Sequence, residues 1–244
     1  MKVRIAGTAL AAALVVFAGY AALYIAPDER TMHEVQRIFY FHVPAWITSF
    51  TAFTVVCLAN LAYLITRKQQ WDSLGVAAAE VGVVGCTIGL LTGPLWARPV
   101  WGIWWTWDAR LTTTFILWLL YVSYLLLRGL LEDPERRATL SAVFGIFAYL
   151  DVPLVYVSNR LWRTQHPQPV ILGGQGSGLN PTMGKVLLLC VIATFGVMIL
   201  LLVDRYRLER LRYEADELRL AVEARAASSN SSSILSPAPG KDTP

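Results

Sequence analysis

Six long apolar runs, each bounded by charged residues, dominate this chain and leave it few ways to fold. Ile5 to Ala26 carries no charge behind Lys2 and Arg4. Five further runs follow, so the expected spans are about 5–26, 44–66, 74–96, 111–131, 140–157 and 183–203. A helix needs about 20 apolar residues to cross a bilayer core, and there it satisfies all of its own backbone hydrogen bonds. With 55% apolar and 16% charged residues, the chain reads as an all-α integral membrane protein whose six transmembrane helices fill residues 1–203. The first run is longer than the apolar core of a signal peptide and lacks a small-residue cleavage site, so it reads as a retained span. Residues 204–227 alternate Leu, Arg and Glu as a charged cytoplasmic helix, suited to a cytoplasmic partner or anionic lipid, and the Ser- and Pro-rich stretch 228–244 is expected to be disordered.

The small positive charge, +4, sits at the ends of apolar runs and speaks to topology rather than to nucleic acid. Lys2, Arg4, Arg67, Lys68, Arg128, Arg136, Arg137 and the tail fall on one side, which outweighs the other and places both termini in the cytoplasm. Arg30, Arg37, Arg98, Arg110, Arg160, Arg163 and Lys185 fall on the translocated side, against the usual trend, so each invites a local partner. For Arg30 that partner is expected to be a nearby carboxylate or lipid phosphate. Pro44 is expected to open the second span from its first turn. Gly75, Gly82, Gly85 and Gly89 in the third span have spacings that suit close helix packing. Glu80 and Asp151, inside or near the membrane, read as interhelical packing groups.

Five of the nine tryptophans lie between Trp96 and Trp107, in a segment, 96–112, that joins spans three and four. Taken as a short helix, WGIWWTWDARLT puts Trp101, Trp104, Trp105 and Asp108 on one side, Trp107 widens the apolar arc, and Arg110 points away. Tryptophan suits the lipid–water interface, where its ring is buried and its N–H finds a partner. An anchor needs one or two such rings. Five form a shelf, and with a carboxylate and guanidinium beside it the shelf suits a flat apolar molecule bearing acidic groups.

His42 follows one span, the tryptophan segment three and His166 five, so all three face the same, extracytoplasmic side. Haem iron takes two axial ligands and imidazole is a common one, whereas zinc requires three or four close ligands that are not evident here. His33 lies in a polar loop and reads as solvated. Cys57, Cys86 and Cys190 each fall in an apolar run as small buried hydrophobes. The chain contains no CxxCH for covalent haem and no CxxC for thiol redox chemistry.

Thr92–Gly93, Trp96, Pro99 and WGIWWTWDARLT, with FHVPAW around His42 and WRTQHP around His166, resemble the CcmC family, the haem-handling WWD-domain membrane proteins of cytochrome c maturation, up to about Val203. The resemblance implies haem b, transiently and non-covalently bound at the periplasmic face of a bacterial inner membrane. His42 and His166 would be its axial ligands, against a shelf of Trp96, Trp101, Trp104, Trp105, Trp107 and Trp162. It also implies delivery to the haem chaperone CcmE, in a complex with the small subunit CcmD and the ABC transporter subunits CcmA and CcmB. From their chemistry, Arg98, Arg110 and Arg163 are candidates for the propionates. Asp108 is expected to orient the tryptophans, pair with Arg110 or cap the fourth span. The chain is expected to act as a carrier and not an enzyme. GGQGSG at Gly173 is not a phosphate loop, so ATP hydrolysis falls to another polypeptide.

Three other readings fit less well. A CcsA-type cytochrome c synthase subunit shares the tryptophan signature but is longer and has more histidines. A haem-exporting secondary transporter calls for a midplane site and paired repeats. A respiratory b-type cytochrome takes its histidines from facing helices inside the bilayer, whereas His42 and His166 are placed at its edge.

Overall fold

A computed structural model describes residues 2–167 and 179–235, with side chains omitted at position 3 and beyond 226. The GGQGSG run and residues 236–244 lie outside the described residues. Among the described residues there are seven α-helices: α1 (Lys2–Tyr20), α2 (Phe39–Thr66), α3 (Gln69–Trp101), α4 (Ala109–Leu130), α5 (Pro134–Tyr149), α6 (Asp151–Leu161) and α7 (Pro181–Leu235). A π turn, Ala21–Ile25, extends α1, and a 3-10 turn, Glu34–Ile38, leads into α2. There is no strand among the described residues, and six helical stretches are long and apolar enough to cross a membrane. α5 and α6 form one of them together, broken at Leu150. Pro153 explains the break, since it has no N–H to offer the carbonyl of Tyr149 and its ring crowds that turn.

The span ends differ from the sequence expectation in two places that matter. α2 begins at Phe39, so Pro44 lies inside the helix and not at its start, and His42 belongs to the first turn of the helix instead of preceding it. α3 runs on to Trp101 through Pro94 and Pro99, which absorbs the first part of the tryptophan segment. The expected flat interfacial helix is not formed. Gly102, at φ +79°, ends α3 with its N–H on the carbonyl of Arg98 at 3.0 Å, a left-handed cap that glycine adopts without strain. Residues 103–108 are non-helical until Asp108 caps α4 by accepting the Leu111 N–H at 3.0 Å. α7 continues to Leu235, so helix extends into the serine-rich stretch expected to be disordered from 228.

The chain divides into two compact units, Met1–Tyr206 and Arg207–Pro244. Within the first, the α3 glycines face α2 at close range. A Cβ on Gly82 would lie 2.4 Å from Phe53, one on Gly85 2.6 Å from Ser49, and one on Gly89 2.4 Å from Trp46. That contact lets Phe53 stack on Tyr121 of α4, with centroids 3.7 Å apart, in a core that also holds Val56, Cys86, Leu117 and Val155. A second apolar cluster joins Ala18, Ala21 and Ala22 to Met183, Leu187 and Cys190 of α7 and to Tyr40. Two ion pairs join helices within this unit. Arg128 makes two bonds to Asp72, 2.6 and 2.8 Å, with both side chains buried, and Arg205 donates to both oxygens of Glu80. Asp151 is buried beside the α5–α6 break, with one oxygen unpartnered among the described residues.

Candidate functional site

A cavity of about 1500 Å³ opens where the amino-terminal ends of α2 and α4, the carboxy-terminal end of α3 and the start of α7 meet. Its volume exceeds the roughly 300–1,000 Å³ of most small-molecule sites. Along α2 it reaches from Ile38 to Phe50, along α3 from Trp101 to Gly89, and along α7 from Met183 to Val191. At about 1.5 Å per residue it therefore extends about 18 Å along α2 and α3 and about 12 Å along α7. The walls are mostly apolar, and the polar groups lining it include His42, His166 and Arg110 on one part and Asp28, Glu29 and Arg30 on another.

His42 lies within the first turn of α2 and His166 in the loop after α6, and the cavity brings their rings together at 6.4 Å between centroids. Each is tied at Nδ1. The His42 Nδ1 is 2.9 Å from Thr92 Oγ1, which already donates its own proton to the Ile88 carbonyl at 2.7 Å. Thr92 therefore accepts from His42, and the His42 lone pair is left on Nε2. The His166 Nδ1 lies 2.8 Å from the carbonyl of Pro167. A carbonyl only accepts, so Nε2 carries the lone pair here too. Burial, with the nearby charge of Arg110 adding to it, pushes the His166 imidazolium down to about 4, so the ring is neutral at physiological pH.

Arg110 reaches across from α4 to α6, donating to Val155 O at 2.8 Å, Tyr156 O at 3.4 Å and Asn159 Oδ1 at 3.5 Å. No carboxylate pairs with it among the described residues. Its guanidinium thus presents positive charge at the cavity wall while steadying the helix that leads to His166. Asp108 works on the same loop. It accepts from Leu111 N–H, Thr106 Oγ1 at 3.0 Å and Gln165 N–H at 3.4 Å, tying the tryptophan segment, α4 and the residue before His166 to one carboxylate. Burial opposes its charge, but the hydrogen bonds from Leu111, Thr164, Thr106 and Gln165 outweigh it and hold the carboxyl below its ordinary range. Of the roles expected for Asp108, the cap of α4 is made by the Leu111 contact.

Trp96, Trp101, Trp104 and Trp105 line the cavity, with Trp96 edge-on to Trp101 at 5.1 Å. Trp107 does not. It is 73% exposed and faces a separate apolar crevice of about 400 Å³ with Trp105, Phe115 and Trp118. Trp162, Arg163 and Arg98 are exposed and outside the cavity lining. Arg98 folds back on the Gly102 carbonyl and lies 6.0 Å from the Trp104 ring, so it serves the turn after α3. His33 is exposed, and Asp28 pairs with Arg37 at 2.8 Å.

Sequence reasoning gave no site role to Trp46 or Thr92, although both stand in the motifs quoted for the resemblance. Trp46 lines the cavity one turn after His42, its ring 6.2 Å away, and the i, i+4 spacing was available as a signal. Thr92 meets His42 only through the packing of α3 on α2, a contact that its place in the motif does not reveal.

The family model described as CcmC, heme exporter protein C, matches residues 2–221. A heme exporter protein C from Bradyrhizobium diazoefficiens is 34% identical over 84% of this chain and 78% of its own length. The heme exporter protein C of Haemophilus influenzae is 30% identical over 79% of this chain and 78% of its own. A ccmC-like mitochondrial protein of cytochrome c biosynthesis from Marchantia polymorpha is 29% identical over 70% and 72%. The chain belongs to the CcmC, heme exporter protein C, family.

Proposed function

We propose that this chain handles haem for cytochrome c maturation by holding haem b between His42 and His166, with the ring system against the tryptophan-lined wall. The observation that carries this reading is the histidine pair. Two imidazoles bound to opposite faces of one metal through nitrogens about 2 Å away place their ring centroids roughly 6 Å apart, and the two rings here are 6.4 Å apart. Both Nδ1 atoms are engaged and both Nε2 atoms keep their lone pairs, the outer-shell arrangement that fixes ligating histidines. The neutral His166 is ready to coordinate without first losing a proton. Arg110, half-buried at the wall and paired with no carboxylate among the described residues, supplies a donor fork for a propionate. Trp96, Trp101, Trp104 and Trp105 supply the apolar face, and His42 and His166 the only ligating side chains the reading requires.

Haem held at the periplasmic face of a bacterial inner membrane, with both chain termini in the cytoplasm, is passed to the chaperone CcmE. CcmD and the CcmA and CcmB subunits complete the assembly. The chain acts as a carrier. The test is the oxidised and reduced absorption spectrum of the purified protein, with CcmE co-expressed, for wild type, His42→Ala and His166→Ala. A low-spin spectrum that both variants lose or shift supports the reading. A wild type that stays haem-free in haem-rich cells, or variants indistinguishable from it, overturns the ligand assignment.

A further inference from the structure

The cavity has two flanks on α2. His42 and Trp46 point towards α3, where Thr92 and Gly89 meet them. Val43 and Ile47, the residues that follow each of them, lie about 100° further round the helix and line the cavity on a second flank. Val43 packs there against the cluster that holds Met183 and Leu187 of α7. From α7 this flank receives Met183, Gly184, Leu187, Leu188 and Val191, whose spacing keeps them on one helix face. It opens sideways at Leu188, which is 60% exposed and so faces lipid in a membrane-spanning helix.

The outer end of the same cavity carries Glu29 and Arg30, just beyond the first span, which ends at Ile25. Arg30 is exposed and pairs with no carboxylate among the described residues. Its acidic neighbours are engaged elsewhere. Asp28 accepts from Arg37 at 2.8 Å, and Oε2 of Glu29 accepts from the N–H groups of Met32 and Thr31 at 2.6 and 2.7 Å. Those two bonds, Met32 first, hold the Glu29 carboxyl below its ordinary range, so it is ionised at neutral pH. Its Oε1 accepts no bond among the described residues.

We propose that this second flank is a phospholipid site, with one acyl chain between α2 and α7, the phosphate on Arg30 and an ammonium headgroup on Glu29. The division of the cavity rests on the haem reading above, which gives haem the His42 flank. A volume of about 1500 Å³ leaves room for a second occupant, since most small-molecule sites hold about 300–1,000 Å³. Guanidinium donates paired hydrogen bonds to phosphate, and basic groups between membrane helices recur as lipid headgroup sites. The free oxygen of Glu29 repels a headgroup that is purely anionic and suits a phosphate followed by an ammonium, as in phosphatidylethanolamine. An apolar lobe that opens into the bilayer is filled most readily by a chain already there. Seated in it, the lipid closes the side of the cavity that faces α7.

Gly184 provides a way to fill the lobe. It lines the cavity, and a Cβ there meets nothing within 4 Å, so the side chain of Gly184→Leu has space to enter. The test is native mass spectrometry of the full-length protein, delipidated in detergent and titrated with phosphatidylethanolamine or phosphatidylglycerol, with the haem absorption spectrum recorded on the same samples. Wild type is expected to bind one phosphatidylethanolamine several-fold more tightly than phosphatidylglycerol. Arg30→Gln and Gly184→Leu should each weaken that binding several-fold, and Glu29→Gln should remove the preference between the two lipids. All three variants should keep the wild-type haem spectrum. Equal lipid binding by wild type, Arg30→Gln and Gly184→Leu marks annular lipid and overturns the proposal. An altered haem spectrum in Gly184→Leu with lipid binding unchanged also overturns it, because the lobe then belongs to haem. No specific lipid on a folded, haem-bearing wild type overturns it as well and leaves the haem reading intact, whereas specific lipid on a wild type that never takes haem supports this site and defeats that reading.

Discussion

The His42 imidazole is held at Nδ1 by Thr92, 2.9 Å away on the neighbouring helix, and this bond leaves Nε2 of a cavity-lining histidine free to ligate. The proton of the Thr92 hydroxyl is committed to the backbone of its own helix, so the hydroxyl acts on His42 purely as an acceptor. Thr92→Val keeps the shape and removes that acceptor. Loss of such an outer-shell partner typically weakens metal affinity about 10–100-fold. Haem titration followed by absorbance should show a loss of that size, with Thr92→Ser close to wild type. Equal affinity in Thr92→Val would mean that His42 needs no such support.

The His166 ring gives the site a pH dependence of definite sign. Its folded-state value is about 4, against the ordinary 6.5. Between those values an unfolded chain holds the proton and the folded chain does not, so this group's contribution to stability is complete above about 6.5 and falls as pH drops through the window. Iron ligation requires the neutral ring and therefore persists through most of the same interval. Haem retention measured from pH 8 downward should stay level to about pH 5 and decline towards 4. Arg110→Gln removes one of the two forces holding the value down, so the decline should begin at higher pH. A midpoint near 6.5 in the wild type would show that the ring is solvated in the working protein.

Gly89 couples helix packing to the cavity. A Cβ there would lie 2.4 Å from Trp46 Cε2 and 2.6 Å from Nε1, so Gly89→Ala must displace a ring that lines the cavity beside His42. Overpacking of this kind typically costs about 1–3 kcal/mol. A lower melting temperature and weaker haem binding are expected together. Gly19→Ala is the control, since a Cβ there meets nothing within 4 Å. If Gly89→Ala binds haem like wild type, Trp46 has room to move without entering the site.

Much of this was legible in the chain because membrane helices are written in long apolar runs. Six spans could be counted, and the glycines of α3 announced a close helix contact. The count alone put His42, the tryptophan segment and His166 at one end of the bundle, and the cavity they line there has that placement. Helix ends were harder to read. Pro44 was expected to open the second span and the third was expected to end near Trp96, yet Pro44 and Pro99 are both inside helices, because tertiary packing within a membrane tolerates a lost backbone bond that an isolated helix does not. The tryptophan segment followed suit: its spacing suggested a single helix, while Gly102 and the Asp108 cap divide it between the end of α3, an irregular turn and the start of α4. That division turns Trp107 away from the wall formed by Trp96, Trp101, Trp104 and Trp105. The roles of Arg98 and Arg110 also depend on contacts distant in sequence or on backbone turns, and nothing in their neighbours distinguishes them.

The ion pair of Asp72 and Arg128 tests whether stability and ligation reside in different parts of the bundle. Both side chains are buried and the pair is bidentate, so removing one partner strands a charge in an apolar core, typically at a cost of about 3–5 kcal/mol. Asp72 and Thr92 lie on the same helix, about 30 Å apart at 1.5 Å per residue, which separates the pair from the histidines. Asp72→Asn should therefore lower the denaturant midpoint sharply while folded protein keeps the wild-type haem spectrum. Combining it with Arg128→Met, which removes the stranded charge, should recover part of the loss. An unchanged midpoint in Asp72→Asn would show that Arg128 finds water or lipid phosphate when its partner is gone, and a changed haem spectrum would show that this pair reaches the cavity through α3.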